Sequence, residues 1–421
     1  MSYKNGLGLS GMLLIVFSTT VISFTRSNVE GVSNYDQKIL PRTITIDPLT
    51  IIAIGDILKN DGNSSAKIAL DWIVNQSELI LSQNPHSVIE KAEVPPSGDK
   101  HDFLALAPYR WPDPTKPDGL PYLDHDGAVN PEIASIPDKK NMNDMIDDVK
   151  ILSRAYYFTN NSEYVSKALE LLRVWFIDKD TRMNTNFNYG ELNRGIEKIN
   201  SGGIMAGKNL TDILDSIGLI SSSPEWNNIY QSKINSWFNN YLNWLLKSES
   251  GQKESKKLNN HETFYSVQVA SIAVFLNRTD VAKKIFKDTM KVQLPLSIEE
   301  DGRQPQELRR TKALHYSLLN LAGLIKLANV GKHIGIDLWN YTTPRGATLE
   351  KAIDFLMPYI EKKQIWPYPQ TVPVTTNTID DTLCPAFVHY QKRSYLDAYN
   401  NINHSNTAND VDYSICNNTI R

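Results

Sequence analysis

The sequence predicts an all-α protein in which antiparallel helix hairpins stack and close on themselves, followed by a less regular C-terminal segment. Three observations predict it. From Asn143 onward, apolar residues recur at steps of three and four, the period of a helix buried on one face. The periodic segments come in pairs joined by short turns rich in Asn, Ser and Gly. The pairs share no repeated sequence, which sets them apart from an open solenoid of interchangeable units. At 421 residues the chain can bury a substantial core without staples.

Residues 1–25 stand outside this pattern. Lys4 precedes the apolar run Met12-Leu13-Leu14-Ile15-Val16-Phe17, continued by Val21-Ile22-Ser23-Phe24. That order is the one of a secretory signal, and the run is short for a membrane span. The expectation is a signal at 1–25, with an uncleaved signal anchor as the alternative reading, one domain over 26–421, a secreted product and no membrane partner once the signal is removed. Asn63, Asn75, Asn160, Asn209, Asn277, Asn340, Asn403 and Asn417 each begin an Asn-X-Ser/Thr sequon, as a secreted glycoprotein would show. The two cysteines, Cys384 and Cys416, can close one loop near the C-terminus in an oxidising compartment.

Residues 26–44 are polar and unpatterned and read as an arm. A first amphipathic helix spans Ser65 to Leu81, with Ile68, Leu70, Ile73, Leu79 and Ile80 apolar. Residues 94–136 carry too many prolines for a helix, including Trp111-Pro112-Asp113-Pro114 and Lys116-Pro117-Asp118-Gly119-Leu120-Pro121-Tyr122. A loop this long inside a domain is functional or disordered, and Tyr109, Trp111 and Tyr122 argue for order. It reads either as an aromatic wall for sugar rings or as a cover packed over a helix end.

Met145, Val149, Leu152 and Tyr156, then Val165, Ala168, Leu171, Leu172 and Trp175, form a hairpin about the turn Thr159-Asn160-Asn161-Ser162. Residues 182–223 read as irregular and amide-rich. A strong helix is expected over Pro224–Lys247, capped by Ser223, with Pro224 at its first position and Trp226, Trp237 and Trp244 in its core stripe. Further helices are expected at about 262–277, 279–291, 307–329 and 347–363. Residues 364–421 lose the helical period and suggest a lid or belt.

The charge balance narrows function. Forty-four basic against 47 acidic residues give −3, which argues against nucleic acid as the main partner while leaving room for a local basic cleft. Neither a Cys/His cluster at zinc spacing nor a Gly-rich phosphate loop occurs, so neither a metal nor another cofactor is expected. Two stretches concentrate reactive groups: Asn259-Asn260-His261-Glu262-Thr263-Phe264-Tyr265 and Arg309-Arg310-Thr311-Lys312-Ala313-Leu314-His315-Tyr316. On one continuous helix, Arg309 and Tyr316, seven apart, would share a face. An arginine beside a phenol favours the phenolate, and a tuned tyrosine can remove a weakly acidic proton and return one. An amide with a cation can neutralise a carboxylate. Together these are the requirements for β-elimination from a uronic acid: once the C6 carboxylate is neutralised the C5 proton is acidic, and the C4–O bond breaks.

The segments Asn259-Asn260-His261, Arg309-Arg310 and Ala313-Leu314-His315-Tyr316 resemble the signature of the alginate lyase superfamily of polysaccharide lyases. The loop from Trp111 to Tyr122, with Asn130-Pro131-Glu132, is similar to the same family, and the resemblance covers roughly residues 90–360. It implies an incomplete (α/α) toroid whose groove binds an anionic polysaccharide without a redox cofactor. It further implies Tyr316 as base and acid in syn elimination, and His261 as base in anti elimination or as a carboxylate binder. Asn260 and Arg310, with Arg309 the alternative, would neutralise the carboxylate; Tyr109, Trp111, Tyr122 and Tyr265 would contact sugar. Glu262 and Ser266 depart from the family's pattern, and a carboxylate next to His261 is expected to bear on substrate choice. His315 reads as structural. Two other classes compete: a glycoside hydrolase, which needs two carboxylates across the bond from among Glu191, Glu197, Asp301 and Glu307, and a non-catalytic sugar-binding relative.

Overall fold

The computed structural model describes residues 40–59 and 64–402. The expected signal at 1–25, Cys416, and the sequons at Asn63, Asn403 and Asn417 lie outside the described residues. The first helix, α1 (Pro48–Leu58), was not expected from the sequence; Asp47 caps it by accepting from the Leu49 N–H at 3.0 Å. Next comes α2 (Ser64–Leu81), at the expected place.

The proline-rich region contains no α-helix. It holds β1 (Leu104–Leu106), β2 (Arg110–Trp111) and β3 (Leu123–Asp124), then a 3-10 turn, Pro131–Ser135. Strands β2 and β3 pair antiparallel. The hairpin follows as α3 (Asp138–Thr159) and α4 (Ser162–Leu172), turned by Asn160 in the left-handed conformation and capped by Asn161. Strand β4 (Tyr189–Leu192) then pairs parallel with β1.

A helix lies where irregular structure was expected. It is α5 (Leu210–Ile220), and it is buried nearly all round. Its apolar residues Leu210, Ile213, Leu214, Ile217 and Ile220 fall at i, i+3, i+4, i+7 and i+10, a helical stripe that the sequence carries although the amide-rich turns before it read as irregular. The expected helix from Pro224 begins later, as α6 (Asn228–Lys247), because the Asn227 side chain accepts from the Ile229 and Tyr230 N–H groups and starts it there. Ser223 instead hydrogen-bonds Glu225. Trp237 sits in the core, as its place in the stripe suggested, and gives its indole N–H to the Met183 carbonyl at 2.8 Å.

The chain continues through α7 (Glu249–Glu254), α8 (Asn260–Phe275), α9 (Thr279–Asp288) and the short α10 (Leu294–Ser297). The single helix expected at 307–329 is two: α11 (Pro305–Leu308) and α12 (Ala313–Lys332), separated by a turn. After α13 (Leu349–Ile360) the C-terminal segment holds two further helices, α14 (Thr376–Tyr390) and α15 (Arg393–Asn400), in place of a wholly irregular belt. Pro385 inside α14 obscures its period. Between α13 and α14, Gln370 bridges antiparallel to Lys312, and the Ala313 N–H donates to the Pro369 carbonyl at 2.9 Å.

Helices α3, α5, α8, α12 and α14 contact one another in that order and form an inner arc. Helices α2 and α4 pack on α3, α6 and α9 on α8, α13 on α12, and α15 on α14. The result is the all-α, hairpin-built incomplete toroid, and one large apolar core runs between its two layers. A second small cluster, Leu104, Leu106 and Ile136, anchors the proline-rich region. The described residues belong to one compact unit, and none of their helices is long and apolar enough to cross a membrane.

Candidate active site

The N-terminus of α8 fixes the first two groups. Asn259 caps the helix by accepting from the His261 N–H at 3.3 Å, which puts Asn260 and His261 in its first turn. Asn260 is buried. Its backbone N–H and its Nδ2 donate to the two oxygens of Glu307, at 2.6 and 2.9 Å. His261 remains partly exposed, its side chain 22% accessible. Its Nδ1 hydrogen-bonds the carboxylate of Glu254, which is fully buried and also lies 2.8 Å from Lys257 Nζ.

The turn between α11 and α12 fixes the second pair. The Arg310 guanidinium lies over the Tyr316 ring, 3.8 Å from its centre. The same guanidinium forks onto Asp126, with N–H···O distances of 2.7 and 3.2 Å, and the Thr311 N–H and hydroxyl add donors to that carboxylate. Asp126 belongs to the proline-rich region, as does Tyr109, whose hydroxyl meets the Tyr316 hydroxyl at 2.7 Å. The loop therefore packs over a helix end, one of the two readings the sequence left open, and carries the Tyr109 hydroxyl to Tyr316. Gln370 closes the other side by accepting from the Leu314 N–H at 2.9 Å.

The two pairs share one neighbourhood, since α8 packs on α12 and Glu307, bound to Asn260, feels the charges of both Arg310 and His261. Burial pushes the Glu307 carboxyl up, against the two Asn260 donors. Tyr316 departs from the expected phenolate. Burial and the Tyr109 hydroxyl push its phenol well above the ordinary range, and the Arg310 charge does not offset them. At rest Tyr316 holds its proton.

Other expectations are corrected. Tyr265 is a core residue, 4% exposed, on a helix buried on every side, so it offers no face to a sugar. Arg309 shares no helical face with Tyr316, because the chain leaves the helix at Leu308 and re-enters at Ala313; Arg309 is exposed. Tyr122 spends its hydroxyl on Glu132 at 2.8 Å, within a cluster that also binds Arg194. Trp111 is half-buried and donates its indole N–H to the Ala128 carbonyl at 2.9 Å. Glu262 does not contact the imidazole of His261: consecutive helical residues point apart, and Glu262 is buried against Ser266. Among the hydrolase carboxylates, Glu307 is locked to Asn260, Asp301 pairs with Arg303 at 2.7 Å, and Glu197 is exposed. Glu254, Asp126 and Gln370 were missed. Glu254 lies seven residues before His261 but on a separate helix, so the interval carried no signal.

The comparisons with known proteins give the class, a polysaccharide lyase. The alginate lyase family model matches residues 87–366, and the chain belongs to that family. An alginate lyase from Bacteroides ovatus has a similar structure, with TM-score 0.83 and 29% identity over 89% of this chain and 99% of its own. The Sphingomonas alginate lyase A1-III is similar in fold, with TM-score 0.52 and 15% identity over 86% of this chain and 92% of its own. So is a histidine-to-alanine variant of A1-III complexed with a tetrasaccharide, with TM-score 0.53 and 15% identity over 82% and 89%. No curated protein matches the chain.

Proposed function

We propose that this enzyme is a secreted lyase that cleaves a uronic-acid polymer of the alginate, mannuronan or glucuronan type by β-elimination. The observation that carries the reading is the convergence of Tyr316, Arg310 and Tyr109 beside the Asn260–His261 turn. Asn260 and Arg310 neutralise the C6 carboxylate. Each has N–H groups left over: Asp126 takes two of the five guanidinium donors, and Glu307 takes one Nδ2 hydrogen. The C5 proton then leaves to a base, its electrons form the C4–C5 double bond, the C4–O4 bond breaks, and O4 takes a proton from an acid. The protonated Tyr316 suits the acid role directly. Where C5–H and C4–O4 are anti, as in guluronate, His261 is the base. Where they are syn, as in mannuronate or glucuronate, Tyr316 itself takes the proton and passes it on, once its own has been lost to water. Lys312, 5.4 Å from the Tyr109 ring, adds positive charge for the polymer. The apolar run of residues 1–25 and the exposed sequons at Asn75, Asn160, Asn277 and Asn340 support secretion and glycosylation.

Incubation with polymannuronate, polyguluronate and glucuronan tests this reading. Unsaturated, ultraviolet-absorbing ends are expected on at least one polymer, and Tyr316→Phe is expected to lower that rate by about 100-fold or more. Saturated reducing ends alone would overturn it.

A further inference from the structure

We propose that Glu254 is a positioning residue that holds His261 in a single tautomer, with Nδ1 protonated and Nε2 bare. For its chemistry this rests on the polyuronate reading above; the tautomer itself does not.

The geometry begins with α7. Glu254 is its last residue and is fully buried. One carboxylate oxygen meets His261 Nδ1, and the other lies 2.8 Å from Lys257 Nζ. An ionised carboxylate offers only lone pairs, so the hydrogen in the first contact belongs to Nδ1. Neutral imidazole has one N–H, and Nε2 is left as the acceptor. Among the described residues none hydrogen-bonds Nε2. Lys257 Nζ also lies 3.2 Å from Nδ1, but an ammonium brings only hydrogens, and Nδ1 is already committed to Glu254.

Two features hold the carboxylate in place and in charge. Gly251 lets α7 lie backbone to backbone on the end of α6: a Cβ there would stand 1.7 Å from the Leu245 carbonyl oxygen. Ser248 caps α7 by accepting from the Gly251 N–H at 3.0 Å. Burial alone would raise the Glu254 carboxyl, but the His261 contact and Lys257 outweigh it and leave it below the usual range. Glu191 on β4 and Glu307 on α11 also feel the charge of His261. Neither bonds the ring, since Glu191 accepts from Asn200 Nδ2 at 2.7 Å and Glu307 from Asn260.

The consequence is specific to geometry at C4 and C5. In anti elimination Nε2 accepts the C5 proton, the C4–C5 double bond forms as C4–O4 breaks, and Tyr316 gives its proton to O4. Glu254 then faces the imidazolium it has helped to form. In syn elimination Tyr316 handles both transfers, and the tautomer of His261 matters far less.

Nitrogen-15 NMR of the full-length enzyme, with the His261 signals assigned by comparison with His261→Gln, reads the tautomer without substrate. In wild type the neutral form of His261 is expected to carry its hydrogen on Nδ1. Glu254→Gln is expected to show both tautomers, because an amide can turn either its oxygen or its NH2 toward the ring. On polyguluronate, Glu254→Gln is expected to lose about tenfold or more in kcat with KM little changed, while polymannuronate turnover falls far less. Glu254→Asp, which keeps the charge, is expected to recover part of the loss and controls for folding through its melting curve. A wild-type His261 protonated at Nε2, or an unchanged tautomer in Glu254→Gln, would overturn the assignment. An enzyme inactive on every polyuronate would sink the proposed function and leave the tautomer result standing.

Discussion

At the scale of single residues, burial sets most of the chemistry. Tyr316 keeps its proton because it is largely out of water and shares it with Tyr109, even under a guanidinium. Glu262 is a second case. It is 3% exposed, and burial pushes its carboxyl up from 4.5 to about 8. At neutral pH it is largely protonated, although hydrogen bonds from Ser266 and Gln293 act against burial. A raised carboxyl contributes stability that is complete below its unfolded pKa and lost as pH rises through the folded one. The window is therefore from about 4.5 to about 8. Glu262→Gln keeps the shape and removes the titration. Its melting temperature is expected to gain on wild type steadily across that window, and parallel curves would refute the assignment.

At the scale of elements, the site depends on where helices stop. Helix α12 begins at Ala313 rather than running on from α11, and the turn this creates lets Arg310 fold back over Tyr316 while Asp126 holds it. Helix α8 begins at Asn260 because Asn259 caps it. The short α7 is placed by a close backbone approach at Gly251 that no side chain would permit. Gly251→Ala is expected to cost about 1–3 kcal/mol in denaturant unfolding, the range of an overpacked interior site. Its turnover should fall with Glu254's displacement, so a variant of wild-type stability would show that α7 tolerates the shift. A glycine is also required at Gly127, where φ is +83° and an added Cβ would meet the Thr311 hydroxyl at 2.4 Å; it follows Asp126 and allows the loop to turn there.

At the scale of the whole molecule, the segment leading into the proline-rich region is fastened to the inner arc by a buried ion pair. Lys91 Nζ lies 2.8 Å from Asp138 at the start of α3, both side chains fully buried, and Asp138 also accepts from the Leu104 N–H at 2.9 Å. Burial outweighs their attraction, lowering the lysine and raising the aspartate to about 6. Lys91→Met strands a buried carboxylate and is expected to cost about 3–5 kcal/mol by urea unfolding. The double variant Lys91→Met/Asp138→Leu is expected to recover most of that, and no recovery would mean the pair is worth more than an apolar contact.

The sequence by itself determined the class of fold, the hairpin at α3 and α4, and the reactive pair of stretches, because helical period, turn residues and caps act over a few residues. It carried the stripe of α5, Leu210, Ile213, Leu214 and Ile217, inside a stretch that read as irregular, and it obscured α14, whose period a proline interrupts. Tyr265 looked available until the packing of α8 buried it, and Arg309 looked aligned with Tyr316 until the helix broke between them. Only the tertiary structure decided that Asp126, Glu254 and Glu307 hold Arg310, His261 and Asn260. Two of those three contacts join segments 47 or more residues apart, and the third depends on how α7 leans on α6. Charge and hydrogen bonding act through space, and the folded chain alone sets those distances.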